Sequence, residues 1–551
     1  MATQPREVSR PVARPTLLVS KLVSRGQRRQ TRVAVPPSHT PWFARISPLS
    51  SIKSSPSKSP DGTATGPVVR FAPNSLSFNT AEAFDAIYKS PKTSVVKSDW
   101  YQCVRDSAGG FESTFTARQT ARHAAKRRLL SQAFSERALR DYEPRICAHI
   151  EAWIEAIQDE ISDGNNDGNN DGDGGLVDID LGQWSNYLIF DILGDLGYGS
   201  SFGLVTTATN RSIVDLIPKA TGGWYSLGYH PFTKLLRRIL FQTPLGAYLG
   251  GPSYHHNIQF RTFCLSKLKE RRQRDAAEEA EEAAAAPRVM FTHLLHGRDP
   301  ETGEGYSTGD LACESVLLMV AGSQSTAGGL AAVFFYLAHH PAKLARLRAE
   351  IHGAFAREQD IRYEYASCAL ATLPYLRACV NESLRLSPPT PGHLPRDVVG
   401  LETGAVAMID GHAVPGGTTV GVSPYALHRN ASYFRDPLGF VPERWLAPRD
   451  GDGDGRGGPM VMAMGMVGFA AFSGGPTGCI GQQLAMVEMS LAAARLLWRF
   501  DLRLLRRRRR RRHSDSSSPV EFVAKDRFVA QAEGPRVRLV VSCPARRGEA
   551  D

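Results

Sequence analysis

The 551-residue chain is 42% hydrophobic and 9% aromatic, a globular composition that argues against a disordered, collagenous or membrane-embedded protein. Its formal charge of +11 sits at the margins: residues 1–60 carry eleven Lys or Arg against Glu7, the run Arg506–Arg512 adds seven positive charges, and the remaining body is mildly acidic. Such margins lack the interleaved aromatics of a nucleic-acid groove, and eight dispersed cysteines with no CxxC pair argue against a zinc ribbon or a disulfide framework.

Residues 1–66 are rich in Pro, Ser and basic residues without periodicity and read as mostly irregular. The opening shows no secretory leader pattern, and no run of the roughly 18 apolar residues that span a bilayer is visible. Its Arg-rich, hydroxyl-rich composition also matches a mitochondrial transit segment. One domain is expected over 67–545, followed by a short tail at 546–551. Val68–Ala72 reads as a strand stopped by Pro73, with Ser75–Phe78 as its hairpin neighbour. From Ala117 to Ile157 apolar positions recur at helical spacing, with a break at Phe134 and Ser135.

Residues 163–175 are low-complexity and resemble a calcium loop at Asp163, Asn165, Asp167 and Gly168. The twelfth position, however, is Gly174 rather than a bidentate Glu, so a solvated insertion is expected there. Residues 450–458 and 506–518 read the same way. The Ala/Glu-rich stretch from Asp275 to Ala286 suits an exposed helix extension ended by Pro287, carrying no chemistry. Leu311–His339, apolar on nearly every face and ended by Pro341, predicts a helix through the centre of the protein. Lys343–Arg357, Tyr375–Leu386 and Gln482–Trp498 read as further helices, with short strands near Thr418–Val422 and Val537–Val541. The fold class expected is mainly α with small β-sheets.

The sharpest local signal is the segment from Phe472 through Gly475 and Thr477 to Cys479 and Gly481, a glycine-rich loop followed at once by a helix. A cysteine at a helix start meets backbone N–H groups that favour a thiolate, which suits an iron ligand. Gly475 and Gly481 would let backbone approach a flat cofactor, and Phe472 could shield the sulfur. A buried cysteine in a tight turn is the plain alternative for the loop taken alone.

This loop resembles the cysteine-ligand signature of cytochromes P-450, and further segments resemble that family's motifs in the expected order. Glu382 and Arg385 match its helical Glu-x-x-Arg element, and Arg444 in Pro442–Trp445 supplies the third member of its buried charge network. His123 to Arg127 resembles its His-x-x-x-Arg helix; with Arg396 after a Pro-rich approach, these become candidate haem propionate ligands. Ala321, Gly322, Ser323, Gln324, Ser325 and Thr326 align with the small-residue, acid and threonine element over the haem. The match departs there: the acid position is Gln324, the threonine position Ser325, and the arginine two before the cysteine is Thr477. Gln324 can orient water but cannot ionise, so protons must pass through Ser325, Thr326 and water, or come from another acid.

The resemblance, covering roughly residues 66–542, implies the cytochrome P-450 fold, with haem b between the central helix and the cysteine loop and Cys479 as axial ligand to iron. It implies a monooxygenase that inserts one atom of O2 into a lipophilic small molecule of secondary metabolism, with electrons from NADPH through NADPH-cytochrome P-450 reductase. It also implies endoplasmic-reticulum association on the cytosolic side, although no transmembrane anchor is visible. Peripheral membrane contact, or a cytosolic or mitochondrial location, are the alternatives. A haem-thiolate isomerase or peroxygenase that needs no reductase is the second functional reading. A non-enzymatic protein binding membranes or nucleic acid through its basic margins is a remote third.

Overall fold

The computed structural model describes residues 67–90, 94–166, 178–230, 232–280, 289–362, 373–400, 404, 406–446, 467–504, 520–522 and 524–541. The N-terminal segment, the insertions at 450–458 and 506–518, the greater part of those at 163–175 and 275–287, and the tail lie outside the described residues.

The chain opens with β1 (Val68–Ala72), β2 (Ser75–Phe78), α1 (Ala81–Phe84), β3 (Val95–Lys97) and α2 (Tyr101–Ser107). Helices α3 (Thr120–Gln132) and α4 (Glu136–Asn166) follow, breaking at Ala133–Ser135, where Phe134 and Ser135 predict an interruption. After β4 (Asp178–Asp180) come α5 (Leu181–Tyr198), α6 (Ser212–Gly228), α7 (Thr233–Gln242), α8 (Leu245–Leu249), α9 (Gly251–Ala280) and α10 (Met290–His296). The second half holds α11 (Thr308–His339), α12 (Pro341–Ala354), α13 (Pro374–Leu386), β5 (Arg396–Val398), β6 (Val406–Ile409), β7 (His412–Pro415), β8 (Thr419–Val422) and α14 (Pro424–Leu427). It closes with α15 (Gln482–Arg499), β9 (Phe500–Leu504), β10 (Ala524–Arg527), β11 (Val529–Ala532) and β12 (Arg536–Val541).

Central helix α11 starts at an N-cap, where Ser307 accepts from the Asp310 N–H, and stops at His340 because Pro341 cannot continue it. Among the described helices it alone is long and apolar enough to cross a membrane, yet it lies inside the protein against α5, α9, α13 and α15. One continuous core, drawn mostly from α4, α5, α11, α13 and α15, surrounds it.

The expected hairpin of β1 and β2 is present, antiparallel, pairing Val68 with Phe78. It belongs to a five-stranded sheet, ordered β1-β2-β8-β5-β3, in which β2 runs parallel to β8. Of the exposed helix extension expected from Asp275 to Ala286, Ala276 and Ala277 are exposed within α9, whereas Asp275 departs from the expectation. Asp275 is buried, accepting from Arg271 Nη2 at 2.8 Å and paired with His296 Nε2 at 2.5 Å, because α9 folds back onto α10.

Candidate active site

A cavity of about 300 Å³ lies between α11 and the loop that ends at Cys479. The loop takes its shape from short-range bonds: Ser473 N–H donates to Ala470 O, Gly478 N–H to Gly475 O, and Cys479 N–H to Phe472 O at 2.8 Å. Ser473 and Gly475 adopt positive φ. Gly475 does not line the cavity, contrary to the expectation from sequence. A Cβ there would lie 2.4 Å from Tyr88 O, so the glycine lets the loop close against backbone on the other side. Gly481, Phe472 and Cys479 do line it.

Cys479 is open to the cavity although protein encloses it. Burial pushes its thiol upward, partly offset by a bond from Gly481 N–H and by the charge of Arg127. Helix α15 begins only at Gln482, so the thiolate preference expected from a helix start is outweighed by desolvation.

One end of the cavity is strongly basic. Arg127 donates to Gly478 O at 2.7 Å. Arg396, 4% exposed, donates to Tyr101 Oη at 2.7 Å and to Thr477 Oγ1 at 3.1 Å. His123 is pushed down to about 4 by burial and then by Lys97, Arg127 and Arg396. Lys97, on β3, was not selected by sequence reasoning; a lone lysine in a three-residue strand carries no motif. Its Nζ donates to Thr114 O at 3.0 Å and Phe115 O at 2.8 Å, and burial, with Arg396 next, lowers it to about 7. Behind this group Glu314 accepts from Thr114 N–H and Oγ1, and burial raises it to about 7. Four basic side chains thus line one end of a largely apolar cavity, with no carboxylate lining that end among the described residues. Two carboxylates on an apolar ligand would complement that arrangement, and the donor set, with a cysteine below, fits haem.

The α11 side supplies Ala321, Gly322, Ser325 and Thr326 to the cavity. Ser325 Oγ donates back to Ala321 O. Gln324 does not line the cavity; its Nε2 reaches Val214 O on α6 at 3.3 Å. Helical periodicity explains this correction. Positions 321, 322, 325 and 326 share one face, and 324 projects from another, so Gln324 is not placed to orient water over the site.

Glu382 and Arg385 of α13 lie together with Arg444 of the turn Pro442–Trp445. Glu382 Oε1 accepts from Arg385 Nη2 at 2.8 Å and Arg444 Nε at 3.2 Å, while Oε2 accepts from Arg385 Nε at 2.9 Å. Burial opposes the charge, but Arg385 and Arg444 hold the Glu382 carboxyl below its ordinary value. Sequence reasoning missed two partners. Trp445 Nε1 donates to Glu382 Oε2 at 2.9 Å. His428 Nε2 accepts from Ala470 N–H at 2.8 Å, so its Nδ1–H donates to Arg385 O at 2.8 Å. The network therefore reaches the cysteine loop through His428.

The family model for Cytochrome P450 matches residues 66–525. Among similar proteins are "Cytochrome P450 monooxygenase fscF" of Fusarium equiseti, 32% identical over 473 residues, covering 85% of this chain and 84% of that one. Another is "Cytochrome P450 monooxygenase apf7" of Gibberella fujikuroi, 32% identical over 443 residues, covering 80% and 79%. The crystal structure of a cytochrome P450DA heme domain superposes with a TM-score of 0.62 at 18% identity, covering 85% of this chain and 88% of that one.

Proposed function

The chain belongs to the cytochrome P450 family of haem monooxygenases, and we propose that Cys479 would hold the haem iron through its thiolate and that the cavity it lines receives a lipophilic secondary metabolite. The observation that carries this reading is the single cavity lined at once by Cys479, by the basic group Lys97, His123, Arg127 and Arg396, and by the small-residue face of α11. Bound haem supplies activation of dioxygen, with thiolate donation favouring O–O cleavage, as is general for this class of haem ligation.

The remaining tasks fall to this chain's own residues. Arg127, Arg396 and Lys97 would hold the propionates, with His123 beside them, while Glu382, Arg385 and Arg444 brace the loop that carries Cys479. Leu193, Leu318, Val320, Phe528 and Val529 make an apolar chamber that orients substrate by shape and excludes water. Residues 67–545 act as one haem domain.

Electrons come from a redox partner, which we assign as NADPH-cytochrome P-450 reductase. An open depression across Cys479 from the chamber, lined by Arg127, Phe134, Glu136, Ile480, Gln482 and Gln483, suits its docking. Peripheral contact with the cytosolic side of the endoplasmic reticulum is supported by α7 and α8. Phe232, Leu235, Leu245 and Tyr248 are 63%, 59%, 55% and 81% exposed there, beside exposed Lys234 and Arg238.

The test is a carbon monoxide difference spectrum of the reduced, haem-loaded protein. The red-shifted band of thiolate ligation is expected in the unaltered protein and lost in Cys479→Ser. Its absence from a well-folded unaltered protein, or its survival in the variant, would overturn the assignment.

A further inference from the structure

Phe528 adopts a backbone conformation that bulky residues avoid, with a φ of 83°, and it is the one aromatic residue in that region among the described residues. It forms the tip of a hairpin: Arg527 of β10 pairs with Val529 of β11, so Phe528 alone makes the turn. Its side chain lines the chamber. A strained turn of this kind persists only where its surroundings impose it, so other groups must hold the tip.

Asp526 holds it from two sides. Its Oδ1 accepts from Phe528 N–H at 3.1 Å, the bond an aspartate side chain makes to backbone two residues on. Its Oδ2 accepts from Tyr225 Oη of α6 at 3.0 Å. Tyr225 is buried, and burial keeps its hydroxyl well above the ordinary value, so it stays a donor. Two further links between the tip and α6 are longer: Thr221 Oγ1 reaches Arg527 O at 3.4 Å, and Arg527 Nη1 reaches Pro218 O at 3.4 Å. On the other strand Ala530 N–H donates to Pro389 O at 2.7 Å and fixes β11. One carboxylate thus ties the strained turn to the helix beside it.

The ring so held stands where the chamber meets an aromatic cluster. Phe528 lies 5.2 Å from Trp224, 5.5 Å from Phe115 and 5.8 Å from Trp100 between ring centroids. Trp100 and Trp224 are buried behind it and do not line the chamber, so the ring is backed by close-packed side chains and forms a firm wall. Asp526 and Tyr225 stay outside the chamber. A Cβ at Gly392, which does line it, would meet Tyr225 Oη at 2.9 Å and Asp526 Oδ2 at 3.3 Å, which places the pair directly behind the lining. Asp526 is therefore not placed to touch substrate and acts through Phe528.

We propose that Asp526 is a positioning residue for specificity: by tying the tip of the β10–β11 hairpin to Tyr225 of α6, it holds the Phe528 ring as a rigid wall that favours slender substrates over wide ones. The proposal rests on the reading of this chamber as the substrate site of a haem monooxygenase.

Two imidazoles test it, because both bind haem iron through the same ring nitrogen and differ in girth: 1-dodecylimidazole is slender and 1-tritylimidazole is wide. In the haem-loaded full chain the Soret shift gives the affinity of each. The ratio of dodecyl to trityl affinity should fall about 10-fold in Asp526→Ala, through tighter binding of the trityl ligand. Asp526→Asn, which keeps an acceptor for Phe528 N–H, should retain most of the ratio, and Tyr225→Phe should lose part of it. In a Phe528→Ala background, Asp526→Ala should add nothing, since it acts through that ring. Hydrogen exchange at the Phe528 amide, followed in the protein as purified, should quicken about 10-fold in Asp526→Ala. An unchanged ratio, equal weakening of both ligands, or the same shift with and without the Phe528 ring would overturn the proposal, as would unaltered exchange at that amide. If Asp526→Ala fails to fold, the ligand ratio in Tyr225→Phe decides. Absence of the red-shifted carbon monoxide band from the unaltered protein would instead overturn the haem-thiolate reading, and exchange at the Phe528 amide then decides for Asp526.

Discussion

Thr477 stands where the resemblance leads one to expect an arginine, and its hydroxyl accepts a bond from Arg396 instead of bringing a charge. Lys97 brings that charge from β3. With its ammonium lowered to about 7 by burial and by Arg396, it is poised to gain from an anionic neighbour, which would favour its charged form. Lys97→Met should accordingly release haem about 10-fold faster to a scavenging apoprotein, the loss of one charge-assisted hydrogen bond, while Lys97→Arg retains it. The carbon monoxide band should not move, because Cys479 is untouched; an unchanged release rate in Lys97→Met would remove Lys97 from the clamp. The residues legible in sequence were those that sit in local patterns: Cys479 in its loop, Glu382 and Arg385 one turn apart, Arg127 on its helix. Lys97, His428 and Trp445 act through contacts between distant segments, and no local spacing marks them. Gln324 erred in the other direction, because a linear alignment places a residue beside the site while the helix face decides whether it enters.

Elements whose identity follows from periodicity were readable. The run over Leu311–His339, apolar on nearly every face, lies within α11, and the break around Phe134 and Ser135 divides α3 from α4. Partnership was not readable: nothing in Ser75–Phe78 indicates that its parallel neighbour is Thr419–Val422, because strand pairing is fixed by packing across hundreds of residues. The amphipathic pair α7 and α8 was also passed over, since its apolar positions look like those of a core-facing helix. Position decides: α7 buries none of its residues fully, and Leu235 and Tyr248 face solvent. Replacing both by Glu should lower binding of the haem-loaded protein to phosphatidylcholine vesicles by about 10-fold or more, given the roughly 1.5–3 kcal/mol that burying one large apolar side chain contributes. Uncharged lipid isolates this face from the basic margins of the chain. Equal sedimentation of the variant and the unaltered protein with vesicles would exclude α7 and α8 as the contact.

At the scale of the whole molecule, folding places several titratable groups against apolar surroundings, and this sets how stability responds to pH. Burial lowers His123 and His393 to about 4 and His428 to about 3, from an ordinary 6.5. A depressed histidine contributes stability that is fully present above 6.5 and is lost as pH falls toward its folded value, because the unfolded chain takes up the proton first. Glu314 and Glu488, raised by burial to about 7 and about 8 from 4.5, act with the opposite sign. Their contribution is complete below 4.5 and is lost as pH rises through 7 to 8. Between about 6.5 and 4.5 the two acids therefore offset part of the histidine loss, and below about 4.5 they offset none of it. The denaturant midpoint of the purified protein should decline gently from about pH 6.5 and then steeply below about 4.5, each net proton costing about 1.4 kcal/mol per pH unit. His123 faces the basic end of the cavity, where bound carboxylates would favour its charged form. Haem-loaded protein should thus resist the first part of the decline better than haem-free protein, and identical midpoints for the two across that range would refute the placement of propionates beside His123.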